Sequence, residues 1–299
     1  MEKTRLFLIL ITITLFSCSE DYQIADKDYN YRIDDPAFEK NTGPVVLVDE
    51  AHNNFHTIDG RYSPFAKLLE NDGYIVRKGN REITPELLNS CSVFVVSVAI
   101  PDGNNSAFSD AEIVILKEWV NSGGSFLLIT DHHPDVPGVE KLAAAFGVTL
   151  NNGYALEGPP NDPKPVFFKK ENNSLAAHPL TDGRNEKEKV NSVATFTGCA
   201  FQAGPDFIPV LIFGPDAVSW MPEEPWTFLP ETKRISVEGW YQGAVSEPGK
   251  GRIAVFGEAA MFTAQLFGKD RVPSGFNMPE AEENARFLLN IFHWLSRLI

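Results

Sequence analysis

Gly123-Gly124-Ser125-Phe126-Leu127-Leu128-Ile129-Thr130-Asp131-His132-His133-Pro134 reads as a turn, a buried strand and an abrupt polar ending. A short unbroken apolar run bounded by turn residues marks a strand covered on both faces, as in parallel sheets. The same unit recurs on either side. Upstream, Pro44-Val45-Val46-Leu47-Val48 runs into Asp49-Glu50, Tyr74-Ile75-Val76 is a shorter strand, and Val93 to Val98 is a third. Downstream, Gly251-Arg252-Ile253-Ala254-Val255-Phe256 ends at Gly257-Glu258. Helical patterns separate these runs. Pro64 to Asn71 carries Phe65, Leu68 and Leu69 at helical spacing and is closed by Gly73, and Thr84 can cap Pro85-Glu86-Leu87-Leu88. Ser109-Asp110-Ala111-Glu112 resembles a capping box for a helix through Val120, and Pro134 to Phe146 offers another helix. The last helix has Phe287, Leu288, Ile291, Phe292 and Leu295 on one face. Strand and helix alternate, so the spacing predicts an α/β domain with a mostly parallel sheet and right-handed crossovers.

The alternation lapses over 150–245, which is rich in Pro, Gly and Asn. Only short β-like pieces stand out there: Pro165 to Phe168, Ser192 to Phe196 and Pro209 to Phe213. This stretch reads as an irregular insertion supplying pocket walls. Gly249-Lys250-Gly251-Arg252 reads as a tight turn into the last strand rather than a phosphate loop.

Before the domain lies a leader. Lys3 and Arg5 precede the apolar run Leu6 to Phe16, which is too short for a stable span of ~20 residues and suits a secretory signal. Leu15-Phe16-Ser17-Cys18 resembles a bacterial lipobox, which implies lipidation of Cys18. The expected organisation is a signal peptide over 1–17, a lipidated Cys and polar tether over 18–42, and the α/β domain over 43–299. Ser19 after the Cys, with Glu20-Asp21, resembles outer-membrane lipoproteins, so the expected location is the outer membrane, facing the periplasm or the cell surface.

The chain has 299 residues and a net charge of −14. Removal of 1–17 would take away two basic residues and one acidic one, making the charge −15. So acidic a surface repels phosphate backbones, and no nucleic-acid partner is expected. Three Cys make neither a disulfide framework nor a Cys-based zinc finger. Cys91 and Cys199 are expected to be buried thiols, although an oxidising compartment permits a disulfide.

In open parallel sheets the ligand lies at the carboxyl ends of the strands. Those ends carry Asp49-Glu50-Ala51-His52-Asn53-Asn54-Phe55-His56, Asp131-His132-His133 and Glu258, which together hold four of the six His. Three readings fit the cluster. His52, His56, His132 and His133 could ligate a divalent transition metal that activates water. Alternatively Asp131 or Glu258 orients His132 as a metal-free general base, with His52, Asn53, Asn54, Trp240 and Gln242 as ligand contacts. Or Asp131, His132 and His133 form a polar network capping the next helix. His178 and His293 read as structural. Trp220, Trp226 and Trp240 would either face a carbohydrate or form a small core of the insertion. G-x-S-x-G, P-loop and G-x-G-x-x-G signatures are missing from the strand ends.

Val48 to His56, the Gly123 to His132 run and Gly257-Glu258-Ala259-Ala260-Met261-Phe262 resemble bacterial proteins of the class I glutamine amidotransferase-like fold. The resemblance covers Gly43 to Ile299 and implies a flavodoxin-like sheet with helices on both faces. True amidotransferases carry a nucleophilic Cys in the turn that here reads Thr130-Asp131-His132-His133. Cys91 opens its strand and so sits at the wrong end, which argues against glutamine hydrolysis. A related branch, resembling trehalose-utilisation proteins, implies a carbohydrate ligand by analogy alone. The expected function is a hydrolase- or lyase-like lipoprotein acting on a small polar, carbohydrate-like ligand. A non-catalytic glycan- or partner-binding lipoprotein is the alternative, and a structural role in the envelope is the third.

Overall fold

The computed structural model describes residues 23–101, 103 and 105–299. The leader and Cys18 lie outside the described residues. Among the described residues the central sheet has nine strands: β1 (Val45–Asp49), β2 (Ile75–Gly79), β3 (Val93–Ser97), β4 (Ser125–Ile129), β5 (Val148–Leu150), β6 (Phe201–Ala203), β7 (Ile208–Ile212), β8 (Tyr241–Ser246) and β9 (Arg252–Phe256). Their order is β2-β1-β3-β4-β9-β8-β6-β5, with β7 also paired to β8. The first five are parallel, and β8, β7, β6 and β5 continue the sheet antiparallel.

Alternate residues of the parallel strands enter two separate cores. Val46, Val48, Val93, Val95, Leu127, Ile129, Ala254 and Phe256 pack with helix α1 (Ser63–Asn71) and with the final helix. Leu47, Phe94, Val96, Phe126, Leu128, Ile253 and Val255 pack with α2 (Asp110–Asn121) and α3 (Val136–Ala145). This two-sided burial explains why the strands lack polar alternation. Each such side chain contributes roughly 1.5–3 kcal/mol of burial. The final helix, α4 (Asn284–Leu295), is buried almost all round, so its three polar inner residues need partners. Asn284 and Asn290 donate to buried carbonyls, and His293 Nε2 meets Asp72 at 2.7 Å. Among the described residues no helix is long and apolar enough to cross a membrane.

The stretch 150–245 divides among three places. Part of it builds β6, β7 and β8. The strands Tyr154–Glu157, Ala217–Met221 and Lys233–Ser236 form a separate three-stranded sheet, and Val166–Lys169 pairs with Ser192–Thr195. One expectation needs correction. The described part of the 18–42 tether is folded onto the domain, because Gln23–Ala25 pairs antiparallel with Ala264–Phe267 and Tyr29, Tyr31, Ile33 and Phe38 pack against the core. Its scattered aromatics carry no helical or strand period, so only the tertiary partner reveals their burial.

Candidate functional site

In a 2-1-3-4 strand order the chain changes direction between β1 and β3, and a crevice normally opens there. In this protein that crevice is sewn together. Asn54 bridges Ala99, Phe55 N–H donates to the Val98 carbonyl at 2.9 Å, and Asn54 Nδ2 donates to the Ser97 carbonyl at 3.4 Å. Two residues accept rare left-handed conformations at this join: Asn53 (φ 51°) and β-branched Val98 (φ 44°).

His52 lies beside the join, buried between two carboxylates. Its Nδ1 is 2.9 Å from Asp49 and its Nε2 2.9 Å from Glu112. Burial pulls the His52 pKa down, but the two carboxylates outweigh it and leave the pKa raised. Glu112 is also the capping-box residue of α2, bonded to the Ser109 hydroxyl and amide and to the Ile83 amide. Burial would raise its pKa, yet these bonds and His52 hold it down at about 2. The capping box is legible in the sequence, whereas the link to His52, sixty residues away, is not.

His56 turns elsewhere. It is buried with its ring 4.4 Å from that of Tyr62, its Nδ1 has no hydrogen-bond partner among the described residues, and burial with the nearby Arg61 charge lowers its pKa to about 3. Both ring nitrogens of His52 are thus committed to carboxylates. Among the described residues no group of three or more His, Cys, Asp or Glu is arranged to hold a metal ion.

The carboxyl ends of β4 and β9 bring a different set together. Ile129 pairs with Phe256, and Thr130 N–H continues the ladder to the Phe256 carbonyl. Asp131 and Glu258 follow at matching positions. Glu258 is fully enclosed, accepting from the Ala260 amide at 2.9 Å and the Met261 amide at 2.7 Å. Asp131 accepts from the His132 amide at 2.8 Å. Burial, then the Asp131 charge, pushes the Glu258 pKa well above the usual carboxylate range; burial raises Asp131 as well. The Tyr62 hydroxyl closes the inner side by donating to the Ala259 carbonyl at 2.9 Å.

His132 forms the outer side. Its Nδ1 is 2.6 Å from the His133 carbonyl, which can only accept, so Nδ1 carries the proton and Nε2 is left as an acceptor. Nε2 is 3.7 Å from Asp131, beyond hydrogen-bond distance. The imidazole lies flat on Tyr154 at 4.3 Å, with Trp226 edge-on at 4.8 Å. Trp226 is 52 % exposed, adopts φ 60°, and donates its amide to the Tyr154 hydroxyl. Asp135 completes the group: burial, then the Asp131 charge, raises its pKa to about 6. Asp131 does not cap the next helix. Asp135 occupies that N-cap position and makes no side-chain capping bond. Sequence reasoning missed Tyr62, Asp135 and Tyr154, because none stands in a motif at a strand end.

Other expected contacts are used internally. Asn54 Oδ1 accepts the His52 amide at 3.1 Å while Asn53 is exposed, and Gln242 is buried with Nε2 on the Thr197 carbonyl at 2.8 Å. Trp240 is half-buried against the core, and Trp220 stacks on Arg234. His133 Nε2 is buried without a partner among the described residues. His178 caps a short turn by accepting the Leu180 amide. Cys91 and Cys199 are free thiols; burial pushes Cys91 up to about 12 and raises Cys199 as well. A groove of about 940 Å³ opens at the opposite edge of the sheet, beside Arg252, Trp294 and His178.

Solved structures match this architecture. The mmIFT52 N-terminal domain aligns over 84 % of this chain and 97 % of its own, with a TM-score of 0.59 and 17 % identity. A protein described as ThuA-like from Bacteroides uniformis ATCC 8492 aligns over 89 % of this chain and 94 % of its own, with a TM-score of 0.50 and 15 % identity. The fold is ThuA-like. At these identities the likeness speaks for the fold alone. No protein-family model matches the chain, and no curated protein does.

Proposed function

We propose that this protein is an outer-membrane lipoprotein, anchored through Cys18, whose β4–β9 edge performs acid–base chemistry on a small polar ligand of carbohydrate type. The observation that carries the reading is the Asp131–Glu258 pair beneath His132. Two adjacent buried carboxyls cannot both ionise cheaply, so one proton is retained between them. Enclosed Glu258, whose pKa burial and the Asp131 charge raise well above the usual range, holds that proton. His132 Nε2 then serves as base and Asp135, with its pKa near 6, as acid or base partner. Such a set suits hydrolysis or elimination without a covalent Cys step, and the Thr130-Asp131-His132-His133 turn holds no nucleophilic thiol. The exposed face of Trp226 suits the apolar face of a sugar, while the fully buried Tyr154 ring backs His132. The ThuA-like fold supports a carbohydrate ligand by analogy.

The test is turnover of a panel of chromogenic glycosides and unmodified disaccharides by the full-length protein in detergent. Loss of at least 100-fold in kcat/KM in both His132→Ala and Asp131→Asn is expected. Retained turnover in either variant would remove the assignment.

One observation favours the non-catalytic alternative. Glu258 spends both oxygens on backbone amides, as a purely structural carboxyl would. Glycan binding without turnover, lost in Trp226→Ala but not in His132→Ala, would establish that alternative.

A further inference from the structure

The hairpin formed by Ala264–Phe267 and Val272–Gly275 projects from the chain just after Glu258; its turn carries Lys269, Asp270 and Arg271, and apolar side chains flank that turn on both strands. Phe267 is 45 % exposed and Val272 55 %, and the two are cross-strand partners. With Pro165, Phe196, Pro273, Met278 and Pro279 they line a depression of about 400 Å³, whose polar lining residues are Ser274 and Glu280. Exposed apolar side chains gathered in this way mark an interaction surface.

The chain itself indicates what covers it. Gln23 pairs directly with Phe267, so the polypeptide enters the domain along this hairpin. Arg61 Nε and the Gln265 side chain hold Gln23 in place from two sides. Cys18 is only five residues upstream of Gln23, and five fully extended residues reach at most ~18 Å. A lipid on Cys18 therefore keeps the Phe267–Val272 end of the hairpin within a short distance of the bilayer. The residues that would give slack, 26 to 42, lie on the far side of this attachment and are folded onto the domain.

From this juxtaposition we propose that the hairpin end and its apolar depression rest on the lipid surface. The proposal deepens the lipoprotein reading and depends on it. Docking is driven mainly by apolar contact, because the processed chain carries a net charge of −15 and the hairpin turn, with Lys269, Asp270 and Arg271, offers only one net positive charge to anionic headgroups. Few side chains are involved, so untethered affinity is low; the anchor supplies the effective concentration that keeps the contact made. The β4–β9 edge, from which the hairpin springs, is thereby brought towards the membrane.

The experiment uses the full-length lipidated protein, in a Cys91→Ala background, reconstituted into phosphatidylethanolamine–phosphatidylglycerol vesicles. A fluorescent maleimide is placed at Val272→Cys or at Ile208→Cys, the latter 50 % exposed and lying near the opposite edge of the sheet. Cys199 is fully buried and stays unlabelled. Flotation with the vesicles, set against Cys18→Ala, reports the anchor, and quenching by spin-labelled lipid reports docking. The expected result is flotation that depends on Cys18, with quenching at 272 at least threefold that at 208. Flotation with equal quenching at both sites would overturn the docking while leaving the anchor standing. A 272 probe shielded from water but not quenched by lipid would mean a protein partner or second copy and would also overturn it. Flotation that is absent or independent of Cys18 would remove the lipoprotein reading and the proposal with it.

Discussion

Asp131 and Glu258 stand side by side because Ile129 and Phe256, two residues earlier in each strand, are register partners in a parallel ladder. Nothing in either local sequence requires the meeting; 127 positions of chain separate them. Once the ladder forms, the carboxyls share one enclosed end of the sheet, and their mutual repulsion raises the Glu258 pKa beyond what burial does alone. The same geometry places His132, Tyr154 and Trp226 above them.

The clamp on His52 makes a pH-dependent prediction. Its pKa is raised in the folded state, so its stabilisation is fully present below the ordinary value of 6.5 and is lost as pH rises through the folded value. Replacing His52 by Ala leaves Asp49 and Glu112 facing each other unpaired and should cost about 3 kcal/mol at pH 6. Urea unfolding at pH 6 and pH 9 checks this. The gap between wild type and variant should narrow clearly at the higher pH, and a gap independent of pH would contradict the clamp.

Asp135 has the opposite consequence. Its folded pKa of about 6 exceeds the ordinary 3.8, so the wild-type protein loses stability as pH rises between those values. Asp135→Asn should therefore gain on wild type across that window, by on the order of 1–2 kcal/mol above pH 6, partial solvent access being allowed for. Thermal unfolding from pH 4 to 8 measures the difference. Two curves that run parallel would show that Asp135 ionises normally.

Gly198 and Gly147 separate two costs of a side chain at positive φ. A Cβ on Gly147 (φ 84°) would meet open space, so Gly147→Ala pays only left-handed strain, about 1 kcal/mol. A Cβ on Gly198 (φ 99°) would sit 2.3 Å from the Gly257 carbonyl and 2.7 Å from Glu258. Gly198→Ala should cost about 3 kcal/mol or more and displace Glu258. Chemical denaturation of the two variants compares them directly.

Trp226 shields His132. Trp226→Ala removes the edge-on ring at 4.8 Å and should speed modification of His132 by diethyl pyrocarbonate several-fold, read by peptide mass spectrometry. His293, fully buried on Asp72, should stay unmodified in both proteins and serves as the internal reference. An unchanged rate at His132 would mean that the ring does not cover it.

Much of the fold was legible because the inner parallel strands β1, β3, β4 and β9 are buried on both faces. Their composition is therefore continuous and apolar, and the intervening helices carry their own caps and periods. The capping box at Ser109 and Glu112 is a case where local hydrogen bonding is written in four consecutive residues. The stretch 150–245 was less legible. Its strands are short, and those that join the central sheet do so antiparallel, where neighbouring residues say little about the partner. The segment from Gln23 to Phe38 read as a tether because its few apolar residues have no period of their own; each finds a separate niche on a surface already formed.

The candidate site divides in the same way. The sequence by itself determined that the strands end in His, Asp and Glu, since a strand leaving an apolar core must finish in residues that tolerate water and accept backbone amides. Tertiary structure alone decided which of these groups meet. Register set Asp131 against Glu258, α2 drew His52 away to Glu112, and the folding back of 150–245 set Tyr154 and Trp226 on His132. Contacts between residues far apart in the chain depend on how layers stack and strands align, and a one-dimensional pattern holds no record of that distance.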